Sequence, residues 1–213
     1  MGMSDIFSAN GVLFSIVFLS MSFAGVGLIV WRLIANISAK TNVDKYVEQI
    51  EAQLASGGGQ SVVDLCERQA IETKQVIPKL FHAAFSEGAR GKVAARDAMA
   101  DCIETEIMPS LHGLLPYMLL LAKISPMVGL LGTVSGMINA FDTIASATKV
   151  DPGELASDIG MALFTTAEGL IIAIPLIFAY TLFKERVHRF ELDLARGSQA
   201  AMKIVSQIYR KTS

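Results

Sequence analysis

The chain has 213 residues, a formal net charge of −2, and 52% hydrophobic against 18% charged residues. Soluble domains carry about 25% charged residues. Here charge is absent from long stretches and dense in others, which excludes a wholly soluble domain. No basic arm or stripe offers a footprint for nucleic acid. No nucleophile–base pair, phosphate loop or metal-spaced His/Cys group is found, so catalytic residues, a bound metal and an organic cofactor are all unexpected.

Residues 1–10 are short, carry Asp5 and lack Lys and Arg, and are read as an N-terminal segment outside the membrane. Residues 11–31 are uncharged and apolar over about the length that spans a bilayer. A cleaved leader fits poorly, since a positive start is missing and the apolar run is too long. Trp31 and Arg32 close this first span like an interfacial belt and a cytosolic anchor.

Residues 32–113 form a segment of mixed charge with helical and no strand periodicity. Val43, Tyr46, Val47, Ile50 and Leu54 mark one amphipathic helix, which Gly57, Gly58 and Gly59 are expected to end. Ser61 with Asp64 starts the next, and Pro78 opens a third whose buried side is Leu80, Phe81, Ala84 and Phe85. From Lys92 a long helix runs toward the membrane, interrupted or kinked at Pro109 and Pro116. Cys66 and Cys102 read as reduced, small apolar residues, and His82, His112 and His188 as isolated structural or exposed side chains.

Residues 114–141 exceed one crossing and contain Lys123, so the membrane part of this second spanning helix is placed at about 124–141 with Lys123 at the interface. Gly129, Gly132, Ser135 and Gly136 fall on one helical face, where small side chains let a neighbouring helix approach closely. Residues 142–158 form a polar loop turned at Pro152-Gly153. Residues 159–183 are the third span, with Gly169 a further small packing residue, and Pro126 and Pro175 are expected to kink their helices. Phe183, Val187, Phe190 and Leu194 step by four, three and four, so this helix leaves the membrane without ending, and residues 184–213 form a C-terminal helix. Basic residues cluster in 32–112 and after Phe183, which predicts an outside N-terminus, an inside 32–113 segment, an outside 142–158 loop and an inside C-terminus.

The second and third spans, SPMVGLLGTVSGMINAF at 125–141 and IGMALFTTAEGLIIAIPLIFAYTLF at 159–183, together with the three-span topology, resemble the MotA/TolQ/ExbB proton-channel family, most of all its ExbB and TolQ branch. The motifs cover about 60 residues. The resemblance implies an all-α integral membrane protein of the bacterial inner membrane, with long cytosolic helical extensions, assembling as a homopentamer around a central pore. It implies a dimer of a single-span ExbD/TolR-like partner inside that pore, a TonB/TolA-like energy transducer beyond it, and protons as the coupling ion. The partner would bring the proton-carrying aspartate. The family's pore threonines correspond to Thr133 and Thr166. These lie about nine and seven residues from the outer ends of their spans, within roughly 5 Å of each other in depth. A hydroxyl both donates and accepts, so it solvates a carboxylate or its neutral acid without holding charge.

Two departures stand out. The acid that many relatives carry early in the third span is Met161 here, beside Gly160, and Glu168 occupies a place usually apolar or small. A carboxyl so deep in a span is a functional-site candidate in which desolvation favours the neutral acid. Three readings stay open: a protonatable group at a subunit interface, a neutral acid bonded to Ser15, Ser20 or Ser22 of the first span, or the partner of a basic residue from another chain. The structural bond ranks first and a proton relay second. The function so implied is a subunit of a proton-motive-force-driven motor. The alternatives are a flagellar-type stator subunit, disfavoured by three spans, and a non-conducting membrane scaffold.

Overall fold

The computed structural model describes residues 3–39, 42–73, 75–146 and 151–210. Among them every regular element is helical. The helices are α1 (Met3–Ala39), α2 (Val43–Glu72), α3 (Val76–Ser86), α4 (Lys92–Cys102), α5 (Met108–His112), α6 (Leu115–Ser146) and α7 (Pro152–Arg210). Three stretches are long and apolar enough to cross a membrane, within Phe14–Asn36, Lys92–Ser146 and Pro152–Tyr209. The chain divides into two compact units: Met1–Trp31 with Leu114–Phe183, and Arg32–Gly113 with Lys184–Ser213.

The first unit holds the apolar parts of α1, α6 and α7. Its large side chains mostly point outward, as Phe23, Met127, Leu163 and Phe178 do, while small ones fill the interior. This inverts a water-soluble helix bundle and suits a protein whose solvent is lipid. On α7 the buried residues Ala162, Thr165, Gly169, Ala173 and Leu176 recur by three and four, one continuous stripe of a 3.6-residue helix.

The second unit has an ordinary apolar core. Tyr46, Ile50, Val62 and Cys66 of α2 meet Leu80, Phe81 and Phe85 of α3 and Ala201, Ile204 and Val205 of α7, all buried. The Tyr46 and Phe81 rings pack edge to face with centroids 5.2 Å apart, a favoured aromatic geometry. Tyr209 donates its hydroxyl to the Phe85 carbonyl at 3.3 Å. Arg32 is only 3% exposed. Its guanidinium donates to the Ser110 carbonyl at 3.5 Å and to the Leu111 carbonyl, satisfying acceptors at the C-terminal end of α5. His112 of α5 and His188 of α7, isolated in the sequence, approach Glu191 at 3.7 and 3.3 Å. No cluster suited to a metal ion occurs among the described residues.

Several boundaries differ from the sequence expectation. Helix α1 already runs from Met3 and passes Trp31 without a break, so the described part of the 1–10 segment continues the first span. The glycine triplet does break the helix, as expected, but at one residue, where two helical stretches of α2 meet in a kink. Gly58 alone leaves the helical conformation, at φ 73° and ψ −176°, and the helix resumes at once. Ser61 donates to the Gly58 carbonyl there and does not cap a new helix. The 142–158 loop is shorter than read: α6 continues to Ser146 and α7 begins at Pro152. Asp151 makes this start. Its carboxylate accepts from the Gly153 N–H at 2.8 Å and its carbonyl from Leu155, an N-cap followed by proline at the first helical position. Residues 147–150, with Lys149, and 211–213 lie outside the described residues. Pro126 and Pro175 sit inside helices that continue through both. Pro109 and Pro116 lie in the first turns of α5 and α6, after a π-helical turn at Ile103–Ile107 and the break at Gly113.

Candidate functional site

The seam between α6 and α7 sets the geometry of the membrane unit. At Gly129 a Cβ would fall 2.8 Å from the Thr165 carbonyl oxygen and 3.0 Å from the Thr166 Cα. At Gly136 it would fall 2.6 Å from the Ala162 Cβ, and at Gly169 2.6 Å from the Ser125 carbonyl oxygen. A Cβ on Gly132 would strike the Thr165 side chain. Only glycine permits backbones this close. These contacts fix an antiparallel register in which residue numbers facing one another on the two helices add to about 294–298.

Thr165 bridges the seam. Its hydroxyl lies 2.7 Å from the Ala162 carbonyl and 3.2 Å from the Gly129 carbonyl, a shared donor to its own turn and to the facing helix. Beside it Ser125, fully buried, donates to the Leu121 carbonyl at 2.6 Å.

Thr133 and Thr166 lie at nearly one level. In the register of the seam Thr133 faces residue 164, about two residues or ~3 Å from Thr166. Their hydrogen bonding differs. Thr133 donates to the Leu130 carbonyl at 2.7 Å, one turn back on its own helix. The Thr166 hydroxyl oxygen is buried with no hydrogen-bond partner among the described residues. A buried donor left unmatched costs ~1–3 kcal/mol.

Glu168 projects elsewhere. With Met161 and Thr165 of α7, Ser135 and Asn139 of α6 and Ser15 of α1 it lines a partly open pocket of about 300 Å³ in the membrane unit. No hydrogen bond joins Glu168 to another described residue. Of the first-span serines proposed as its partner, Ser20 donates to the Val17 carbonyl, Ser22 is exposed and Ser15 lines the same cavity.

Sequence reasoning weighed the glycines, Thr133, Thr166 and Glu168, and gave no role to Thr165. The signal for Thr165 was present in the small-residue spacing of α7, which puts it on the face of Gly169.

These features define a class: a helical multi-pass membrane protein whose α6 and α7 meet backbone to backbone and carry polar groups within the span. Residues 72–196, more than half of the chain, match the MotA/TolQ/ExbB proton channel family. The chain belongs to that family, in its ExbB/TolQ branch. It is 32% identical over 125 residues to the Tol-Pal system protein TolQ of Haemophilus influenzae, covering 54% of this chain and 55% of that one. It is 48% identical over 59 residues to the biopolymer transport protein exbB1 of Vibrio cholerae, covering 27% of this chain and 26% of that one. To the biopolymer transport protein ExbB of Salmonella typhimurium it is 36% identical over 91 residues, covering 43% and 36%. The chain thus spans about half or less of the length of these relatives. Family membership and three spanning helices make it a multi-pass protein of the bacterial inner membrane.

Proposed function

We propose that this chain is the channel-forming subunit of an inner-membrane motor that couples inward proton flow to work at the periplasm or outer membrane. In this reading five copies surround a central pore and enclose the single spans of two ExbD/TolR-like partner chains, with a TonB/TolA-like transducer beyond. In this reading the N-terminus and the link between α6 and α7 face the periplasm and the second unit lies in the cytoplasm, which the distribution of basic residues supports.

One observation carries the reading. Thr133 and Thr166 sit at one depth in the paired spans, and the Thr166 hydroxyl has no acceptor among the described residues. A carboxyl group from a partner span at that depth supplies the acceptor, and the two hydroxyls solvate it in either protonation state.

The test is proton flux through the co-expressed complex in liposomes. A hydrogen bond to a charged group contributes ~1.5–3 kcal/mol, so Thr133→Val with Thr166→Val lowers flux by at least about tenfold while the native mass of the complex is unchanged. Unchanged flux in a correctly assembled double variant overturns the pore role and leaves the scaffold reading. The chain alone, lacking the partner's carboxyl, conducts poorly.

A further inference from the structure

The cavity around Glu168 does not belong to the path along Thr133 and Thr166. It is formed by one chain, between α1, α6 and α7, and is partly open at the surface beside Met161 and Phe164. The seam register gives its direction. Glu168 is level with about residue 128 of α6, and Asn139 is level with about residue 159 of α7. The two ends are therefore about nine residues apart, ~13 Å along the helix axis. Between them the lining carries the hydroxyls of Thr165 and Ser135, with Ser15 from the side.

The crevice runs one way from Glu168. On the far side from Asn139 the seam is closed, because Gly169 backs onto the Ser125 carbonyl and Ser125 is fully buried. Toward Asn139 it continues to within seven residues of Ser146, where α6 stops. About 300 Å³ holds several water molecules, each of which takes ~30 Å³ in the liquid. Glu168 itself bonds to no described residue, and every other lining side chain is neutral. The nearest charged residues by register are Lys123, beyond the closed end, and Asp142 and Asp158 at the open end.

We propose that this crevice is a water-filled access path through which Glu168 takes up and releases protons on the side of the membrane where α6 ends and α7 begins. The path is separate from the central pore and holds whether or not the chain encloses a partner. It leaves Glu168 a proton-accepting site rather than a structural hydrogen-bond donor.

Two measurements on the full chain in sealed vesicles decide it. An apolar carbodiimide modifies only a protonated carboxyl that it reaches from lipid, and Glu168→Gln identifies the labelled residue by loss of the adduct. The side on which α6 ends is marked independently by Ser146→Cys and an impermeant maleimide, in a Cys66→Ala, Cys102→Ser background. We expect labelling of Glu168 to be lost when pH is raised on the Ser146 side, and to ignore the opposite side. Labelling that follows the opposite side, or neither, overturns the proposal. In the second measurement Asn139→Cys and Ser135→Cys react with a small impermeant thiol reagent from the Ser146 side, and Ala173→Cys, in the dry seam, does not. Absence of reaction at both crevice positions in stable variants overturns the water path. A scrambled membrane orientation changes which compartment is involved and leaves the outcome of either measurement intact.

Discussion

Adding one methyl group at Gly169 tests the seam directly. Its Cβ would lie 2.6 Å from the Ser125 carbonyl oxygen and 3.2 Å from the Pro126 Cα, both backbone atoms that no rotamer change can move. Ordinary contact needs about 3.4 Å, so Gly169→Ala requires α6 and α7 to separate by ~0.8 Å along ground held by Gly129, Gly132 and Gly136 as well. Overpacking of this kind costs ~1–3 kcal/mol, partly offset by the ~1 kcal/mol that alanine gains over glycine in a helix. Gly160, nine residues earlier in α7, has no atom within 4 Å of its Cβ position, so Gly160→Ala receives the helical gain alone. The two variants therefore differ by ~1–3 kcal/mol. At ~2–4 °C per kcal/mol for a chain of this size, Gly169→Ala melts about 2–12 °C below Gly160→Ala in the same detergent. Equal melting temperatures would mean that the helices are not in backbone contact, and the register used for Thr166 and Glu168 would fall with that contact.

Thr165→Val keeps the shape but removes the donor shared between the Ala162 and Gly129 carbonyls; a loss of ~1 kcal/mol is expected in the same melting assay, with proton flux reduced far less than by the Thr133 and Thr166 pair. Arg32→Ala removes the guanidinium that holds the Ser110 and Leu111 carbonyls; at ~1–3 kcal/mol for each buried acceptor left unpaired, hydrogen exchange over residues 108–113 should speed up at least about tenfold, and unchanged protection would refute the role. Burial pushes the Cys66 thiol up to about 11, although the Tyr46 hydroxyl donates to it. The unfolded thiol ionises near ~8.5, so the unfolded state binds fewer protons between these values and stability falls as pH rises from about 9 to about 11; a melting temperature flat over that window, or a slope unchanged in Cys66→Ser, would contradict it.

The sequence carried the membrane helices well because lipid imposes a single demand, an apolar stretch of sufficient length, which residues 11–31 and 159–183 meet without reference to anything else. The second unit was less legible. Three consecutive glycines looked like a stop, and the stop is a kink at one of them: Gly58 alone takes a positive φ, and a second helical stretch follows directly. The π-helical turn at Ile103–Ile107 left no sign in its own residues; Pro109 follows it, whose ring in an unbroken α-helix would clash with the Thr105 carbonyl, and the wider turn relieves that conflict. At the site, Glu168 was conspicuous because a carboxyl in a span has no bland explanation. Whether it pointed to a serine, another chain or water depended on the rotation of α7 against α6, which one helix's periodicity does not set. Thr165 and Thr166 show the same limit: adjacent and identical, they part company only once the partner backbone is in place, one bridging the seam and the other left with an unmatched hydroxyl.

The glycine contacts also decide where the molecule can bend. From Ser125–Gly169 to Gly136–Ala162 the two helices touch over some eleven residues, ~17 Å, with no cushion of flexible side chains between them. Backbone against backbone is incompressible, so α6 and α7 behave as a single stiff plank. Any relative motion of helices spends no travel inside that plank; it has to be taken up along its outer edges, where Leu130, Leu131, Ile171 and Phe178 present large, exposed side chains. Lubrication is on the rim and rigidity at the centre, the arrangement of a bearing rather than of a hinge.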